Sequence, residues 1–286
     1  MPLHPVCTDL DLELSLLDVP GGPLAVLRAA PQVRSRATVL LVPGYTGSKE
    51  DFRLLAAPLV DAGHPVVLLD QRGQHQSPGP DDLAAYTVEA LGRDLLAVVD
   101  ELREGPVHLV GHSFGGLVSR AAVLRRPEAF RSLTLMSSGP AGLTGPRTAI
   151  LGPLRELAAR GIAPVVEAMD ALNAVDERFL TLDASTQGFL RDRMLASSPT
   201  ALIGMSHDLE GEPDRVEQLR ATGVPVLVVH GEDDDAWSPA EQADMAERLG
   251  AAYAVVPDAV HSPAVEQPEA TVKALLAFFP EPDAAL

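Results

Sequence analysis

The chain has 286 residues, of which 46% are hydrophobic. This is enough for one large α/β domain with an insertion, or for two small domains, around a sizeable core. Its formal net charge is −18, and such an acidic chain is repelled by the phosphates of nucleic acids and by anionic membrane surfaces. We therefore expect neither nucleic acid nor membrane among its partners.

Cys7 is the only cysteine in the chain, so no intramolecular disulfide can form and nothing requires an oxidising compartment. The first residues have no basic stretch followed by an apolar run, as a secretion signal would have. No apolar run approaches the length needed to span a bilayer. We expect a soluble cytoplasmic protein that is a monomer or a homodimer, with Cys7 as an incidental thiol.

Short runs rich in leucine and valine alternate with longer helical patterns, which is typical of a parallel sheet with crossover helices. The first two runs are separated by Pro20, Gly21 and Gly22 and predict an antiparallel hairpin at the sheet edge. The other six lack polar alternation, as expected of strands buried on both faces. The predicted fold class is α/β, with eight mostly parallel strands: LELSLLDV, PLAVLRAA, ATVLLVPG, PVVLLD, VHLVGH, SLTLMSS, PVLVVHG and AYAVVPD.

Residues 140–223 interrupt this alternation, because they contain short amphipathic helical patterns and no convincing strand. They are predicted to form a helical insertion that packs on the sheet. The predicted core domain then consists of residues 1–139 and 224–286.

The stretch LVGHSFGGLVSR places Ser113 between the end of a buried strand and the start of a helix. Gly111 and Gly115 permit a tight turn there, which forces the central serine into a strained backbone conformation. The helix N-terminus directs N–H groups toward the serine and favours a developing anion. On this stretch alone, Ser113 is either a nucleophile or a polar residue in a glycine-rich turn.

The pattern Gly-His-Ser-Phe-Gly resembles the nucleophile elbow of the α/β-hydrolase superfamily, in its serine-nucleophile branch. The resemblance implies a sheet flanked by helices, with residues 140–223 as a helical cap. It also implies the chain order serine, acid, histidine. Among the eight histidines, only His261 follows the last predicted strand, so the resemblance assigns the general base to it.

The segment GEDDDAWSP ends a strand and offers three consecutive aspartates for the acid that would orient the histidine. The family's Gly-x-x-Asp pattern selects Asp234, whereas the commoner spacing before Pro239 selects Asp235. We choose Asp234 and keep Asp235 as the alternative.

The loop LVPGYTGS is similar to the family's His-Gly-aromatic motif, although Pro43 stands where many members have histidine. The resemblance implies an oxyanion hole formed by the backbone N–H groups of Tyr45 and Phe114. Gly44, which lets the backbone turn toward the substrate, is retained.

The segment DQRGQHQSPG is similar to the Asp-x-Arg-Gly-x-Gly-x-Ser loop of the family, which ties neighbouring loops together. Asp70 and Arg72 are therefore interpreted as structural. His75 replaces the second glycine and is interpreted as a surface histidine.

The resemblance implies a serine hydrolase that cleaves a carboxylic ester, lactone or thioester of a small to medium acyl substrate through an acyl-enzyme. Perhydrolase or carbon–carbon bond hydrolase activity is an alternative, and a non-catalytic or very slow ligand receptor is an alternative of another class. No metal or organic cofactor is implied, since the histidines do not follow His-Glu-x-x-His or a comparable spacing of metal ligands. Trp237 beside the acid, and Met205 and His207 in the insertion, are candidate pocket residues.

Overall fold

Eight strands form a single sheet in the structure, a computed structural model that describes residues 10–33 and 36–279. Cys7 and the two ends of the predicted core domain lie outside these residues. All eight predicted strands are present, so the predicted fold class is confirmed. They are β1 Glu13–Leu17, β2 Leu24–Ala29, β3 Val39–Val42, β4 Val66–Leu69, β5 Val107–His112, β6 Phe130–Met136, β7 Val226–Gly231 and β8 Ala252–Val256.

The spatial order of the strands is β1-β2-β4-β3-β5-β6-β7-β8. The first two form the predicted antiparallel hairpin at one edge, with Leu17 opposite Leu24. β2 also pairs antiparallel with β4, whereas β3 to β8 are mutually parallel. The carboxyl ends of the parallel strands therefore meet at one edge of the sheet, where open α/β sheets bind ligands.

The last strand differs from its prediction. Five of the six non-alternating strands are buried along most of their length, but β8 lies at the sheet edge and exposes Tyr253 and Val255. A strand that pairs on one side only is covered incompletely by flanking helices, so its apolar residues do not all face a core.

Helices cover both faces of the sheet. The crossover helices are α1 Arg53–Asp61, α2 Val88–Leu102, α3 Phe114–Arg125, α9 Val216–Ala221, α10 Pro239–Leu249 and α12 Pro268–Phe278, with the short α11 Pro263–Glu266 before the last. On one face, helices α1 and α12 pack over β3, β4 and β7, and on the other α2, α3, α9 and α10 enclose the larger core cluster.

Between β6 and β7 the chain is helical, as the sequence predicts. Leu154, Val165, Val166, Met194 and Leu202 form a separate small core among these helices. The described residues contain no helix long and apolar enough to cross a membrane. The helices are α4 Thr148–Ala158, α5 Ile162–Asn173, α6 Glu177–Leu180, α7 Ala184–Ala196 and α8 Pro199–Gly211, followed by α9.

Arg120, on helix α3, joins the two ends of this helical segment to the core. Its guanidinium donates to the carbonyls of Gly139 and Pro140 at the start and of Pro213 at the end. It also pairs with the Glu212 carboxylate at 3.2 Å, and both side chains are almost completely buried. Burial raises the pKa of Glu212, although Arg120 and Arg215 counteract part of this effect.

We expect Arg120→Met to lower the free energy of unfolding by about 3 kcal/mol, because it removes a buried guanidinium and leaves the carbonyls of Pro140 and Pro213 without this donor. Glu212 then keeps only the partly exposed Arg215, 2.9 Å away, as its guanidinium partner. Urea denaturation measures the loss. The matched control is Arg126→Met, which removes an exposed ion pair to Asp100 and should cost about 1 kcal/mol or less. Equal losses of unfolding free energy in the two variants would contradict the stabilising role of the buried Arg120 contacts.

Candidate active site

Ser113 stands at the sharp turn between β5 and helix α3, at the carboxyl edge of the sheet. Its backbone adopts φ 54° and ψ −123°, a conformation that side-chain-bearing residues rarely occupy. The surrounding structure holds this turn, since the Ser113 N–H donates to the Met136 carbonyl at 2.8 Å. The strained geometry predicted from the glycine pattern is present, and such strain concentrates at functional sites.

Two glycines are required for steric reasons at this turn. A Cβ on Gly111 would lie 2.4 Å from the carbonyl oxygen of Gly115. A Cβ on Gly115 would in turn lie 2.4 Å from the carbonyl oxygen of Pro43, in the loop after β3. Any larger residue would push the helix away from the strand and the loop, so the small residues determine where Ser113 is presented.

The structure brings the three residues of the predicted triad into one hydrogen-bonded chain. His261 Nε2 is 3.0 Å from Ser113 Oγ, and His261 Nδ1 is 3.0 Å from Asp234 Oδ1. All three side chains are largely withdrawn from solvent. A nucleophile, a base within reach of its proton and a carboxylate that orients the base are the elements of serine-based acyl transfer.

The choice between the two aspartates follows from their surroundings. Asp234 Oδ1 also accepts from the Ala236 N–H, and Oδ2 accepts from Gln242 Nε2 at 3.0 Å. Burial alone would raise the pKa of Asp234, but the bonds from His261, Ala236 and Gln242 outweigh it and lower that pKa. Asp235 is exposed and pairs with Arg147 at 2.7 Å. Asp234 therefore hydrogen-bonds to the imidazole, whereas Asp235, which also has a carboxylate oxygen within 4.8 Å of a His261 ring nitrogen, is held by Arg147.

Tyr45 and Phe114, the two predicted oxyanion donors, both lie beside Ser113. Phe114 is the first residue of helix α3, directly after the serine. Tyr45 follows Gly44, whose backbone is so close to Ser113 that a Cβ there would be 3.5 Å from Ser113 Oγ. The Tyr45 phenol points to the insertion, where it donates to the Leu202 carbonyl at 2.7 Å, and burial raises its pKa.

Sequence reasoning did not identify the residues that hold the His261 loop. His112 Nε2 lies 2.7 Å from the His261 carbonyl oxygen, so in the neutral ring this nitrogen carries the proton and donates it. Glu266 accepts from the N–H groups of Val260 and Ser262 on either side of the histidine. The position of His112 next to Ser113 could have indicated a role in the site. No sequence pattern around Glu266 indicates that it holds the His261 loop.

A cavity of about 320 Å³ opens above Ser113 and His261, between the sheet edge and the helical insertion. Its apolar wall comes from the insertion, and its polar wall comes from the loop and turn after β3, including Glu50 and Asp51. The principal apolar residues are Leu151, Leu154, Met169, Phe189 and Leu190.

The three predicted pocket residues do not line this cavity, which corrects the prediction. Trp237 is buried against Gly139 and donates from Nε1 to the Ala141 carbonyl at 3.1 Å, so its indole packs on the start of the insertion. Met205 faces the main core cluster from helix α8. His207, on the same helix, points to solvent.

A buried charge cluster lies beside the cavity, between the DQRG loop, residues 70–79, and the turn after β3. Lys49 Nζ is 2.7 Å from Asp70 Oδ2 and 2.9 Å from Glu50 Oε1. His75 lies against the cluster, 3.4 Å from Lys49 Nζ, and its ring contacts Phe189 of the insertion, so it is not the surface histidine expected. Glu50, Asp70 and His75 could together supply metal ligands, but the Lys49 ammonium already provides the cation there.

Asp70 and Arg72 join neighbouring loops, as their interpretation as structural residues expects. Asp70 also accepts from the backbone N–H of Lys49 at 2.7 Å. Arg72 forms a bidentate pair with Asp94 of helix α2 and donates to the Gly21 carbonyl in the β1–β2 turn.

Comparison with known proteins agrees with this architecture. The family model described as "Serine aminopeptidase, S33" matches residues 33–268, which include Ser113, Asp234 and His261. The chain belongs to this family of α/β-hydrolases. As a member of the S33 family, it is a hydrolase.

Individual relatives of this S33-family hydrolase are distant. A 3-oxoadipate enol-lactonase of Acinetobacter baylyi is 27% identical over 219 residues, 72% of this chain and 74% of that protein. A Variovorax paradoxus protein named as a carbamate hydrolase, RutD, is 37% identical over 100 residues, 35% of this chain and 37% of its own length. A thermophilic esterase from Thermogutta terrifontis shares the fold, with a TM-score of 0.74, 24% identity and coverage of 93% and 97% of the two chains.

His112 leads to a prediction about stability and pH. Desolvation and the neighbouring His261 lower the pKa of His112 from 6.5 to about 4. Between these two pH values the unfolded chain binds a proton that the folded protein does not, so folding becomes less favourable as the pH falls from 6.5 to 4. Glutamine keeps a hydrogen-bond donor but does not titrate. We therefore expect His112→Gln to remove the contribution of His112 to the pH dependence of the free energy of unfolding.

Urea denaturation between pH 4 and 7.5 measures the effect as the slope of the free energy of unfolding against pH. His207→Gln replaces an exposed histidine and should keep the wild-type slope. Parallel curves for the wild type and His112→Gln would contradict the prediction.

Proposed function

We propose that this S33-family hydrolase cleaves a carboxylic ester, or a lactone or thioester, of a small to medium substrate through an acyl-enzyme on Ser113. The observation that carries the proposal is the continuous chain from Ser113 Oγ through the His261 imidazole to Asp234, with both links at 3.0 Å. Ser113 and His261 line a largely apolar cavity, and this surrounding supports an acyl substrate.

In the proposed reaction, Ser113 Oγ attacks the acyl carbonyl carbon while its proton passes to His261 Nε2. Asp234 stabilises the imidazolium that forms and keeps the ring in the required orientation. The tetrahedral oxyanion accepts from the N–H groups of Tyr45 and Phe114, each such donor being worth ~10²–10³ in rate. The dipole of helix α3 adds positive potential at the same point.

The ester C–O bond then breaks, and His261 returns its proton to the leaving alcohol. A water molecule attacks the acyl carbon with His261 as the base, which releases the carboxylic acid and restores Ser113. The names of the enol-lactonase and esterase relatives agree with chemistry at an acyl carbon.

The cavity favours a small to medium, uncharged acyl group. Its volume of about 320 Å³ is near the lower end of the ~300–1,000 Å³ typical of ligand pockets. Both arginines of its lining already have carboxylate partners, Arg193 with Asp51 at 2.6 Å and Arg147 with Asp235 at 2.7 Å. Glu50 stays ionised: burial would raise its pKa, but His75 and Lys49 lower it to about 2.

A fluorophosphonate probe together with short p-nitrophenyl esters tests the proposal. We expect labelling of Ser113, turnover of the esters and loss of both in Ser113→Ala. Asp234→Asn should lower kcat by about 10⁴-fold, because the imidazole loses its orienting carboxylate. Asp235→Asn is the matched control and should stay near the wild-type kcat. Absence of both labelling and turnover in the wild type would refute the proposal, and equal losses in the two aspartate variants would refute the assigned acid.

Substrate charge gives a second prediction. We expect p-nitrophenyl butyrate to be hydrolysed with a kcat/KM at least about 10-fold higher than mono-p-nitrophenyl succinate. The succinate carboxylate must be desolvated, and the arginines among the described residues that line the cavity are already paired. The comparison uses the same leaving group and measures kcat/KM at several salt concentrations. Equal values for the two esters would contradict the proposed preference.

A further inference from the structure

Two buried glutamines of the DQRG loop bind the carbonyl oxygens of the segment Pro43 to Tyr45. Gln71 Nε2 donates to the Pro43 carbonyl at 2.8 Å. Gln74 Nε2 donates to the carbonyls of Gly44 at 2.7 Å and of Tyr45 at 3.0 Å. The two side chains are 2% and 3% exposed, so these amides are almost fully withdrawn from water.

The Gln74 amide is also fixed in orientation. Its Oε1 accepts from the backbone N–H of Gln71 at 3.2 Å, which leaves both hydrogens of Nε2 for the two carbonyls. The same Gly44 carbonyl accepts from the Gly47 N–H at 3.2 Å. A buried amide with its donors and acceptor engaged has little freedom to rotate.

The bond to Gly44 acts on a particular peptide group. The Gly44 carbonyl and the Tyr45 N–H belong to one trans peptide, in which they point in opposite directions. Fixing the carbonyl toward Gln74 therefore aims the Tyr45 N–H the other way. Hydrogen bonds to a carbonyl also polarise its peptide, which strengthens the N–H as a donor.

We propose that Gln74 is a positioning residue for the oxyanion donor, setting the direction and strength of the Tyr45 N–H toward the reacting carbonyl. This inference rests on the proposed function, because it assigns the Tyr45 N–H to the oxyanion. Gln71 contributes differently: the Pro43 carbonyl that it binds shares its peptide with the Gly44 N–H, so Gln71 secures the loop without acting on the donor peptide.

Gln74→Met keeps the side-chain length and removes the donor. We expect kcat for p-nitrophenyl butyrate to fall by about 10- to 100-fold with KM unchanged, less than the ~10²–10³ that loss of a complete donor costs. A trifluoromethyl ketone forms a tetrahedral adduct with a serine nucleophile, and its inhibition constant should rise by the same factor. A general loosening of the loop would not keep KM constant while the two other values change together.

Gln71→Met is the matched control, since it removes an equally buried amide from the same loop. We expect a similar decrease in thermal stability but a kcat close to that of the wild type. Gln74→Asn provides a second variant: it stays polar, but one methylene less prevents it from reaching both carbonyls, and kcat should again fall.

Three outcomes overturn the assignment of Gln74: a folded Gln74→Met or Gln74→Asn variant with wild-type kcat, an unchanged inhibition constant despite a lower kcat, or equal kcat losses in Gln71→Met and Gln74→Met. The failure of the proposed function is recognised separately, because the wild type itself would then neither turn over esters nor react with the fluorophosphonate at Ser113.

Discussion

The candidate site depends on the close approach of helix α3 to the ends of β3 and β5. Gly111 and Gly115 permit this approach because a Cβ at either position would collide with a backbone oxygen. Ser113 is thereby held at φ 54° at the sheet edge, within reach of His261 from the loop after β8. The apolar strands and helices around the turn supply the rigidity that keeps this conformation, so the small residues and the large core act together.

Features encoded by neighbouring residues could be predicted from the sequence. The eight strands, the first hairpin, the helical insertion and the serine turn all depend on local periodicity or on glycine spacing. Which aspartate contacts His261 depends on Gln242 and on the Ala236 N–H, so the tandem Asp234 and Asp235 could not be separated by pattern alone beyond a preference. The Gln242 contact arises only once helix α10 is packed.

Other features escaped prediction because they join residues far apart in the chain. The residues next to His75 in the chain predict a surface position, but in the folded protein it lies between Lys49 and Phe189. Trp237 lies three residues after Asp234, yet its side chain turns away from the cavity to pack on Gly139. Side-chain direction in loops is set by tertiary packing, and β8 shows the same dependence, since its exposure follows from its place at the sheet edge.

The arrangement around Arg120 also affects how the enzyme could diversify. The helical segment leaves the core at Pro140 and rejoins it at Pro213, and one guanidinium on helix α3, which begins directly after Ser113, binds both points. With its ends already brought together, a segment of different length can replace this one at little additional loop-closure entropy. Exchange of residues 141–211 between related chains would then alter the apolar wall of the cavity and leave the sheet edge intact, which is a modular route to a new ligand preference.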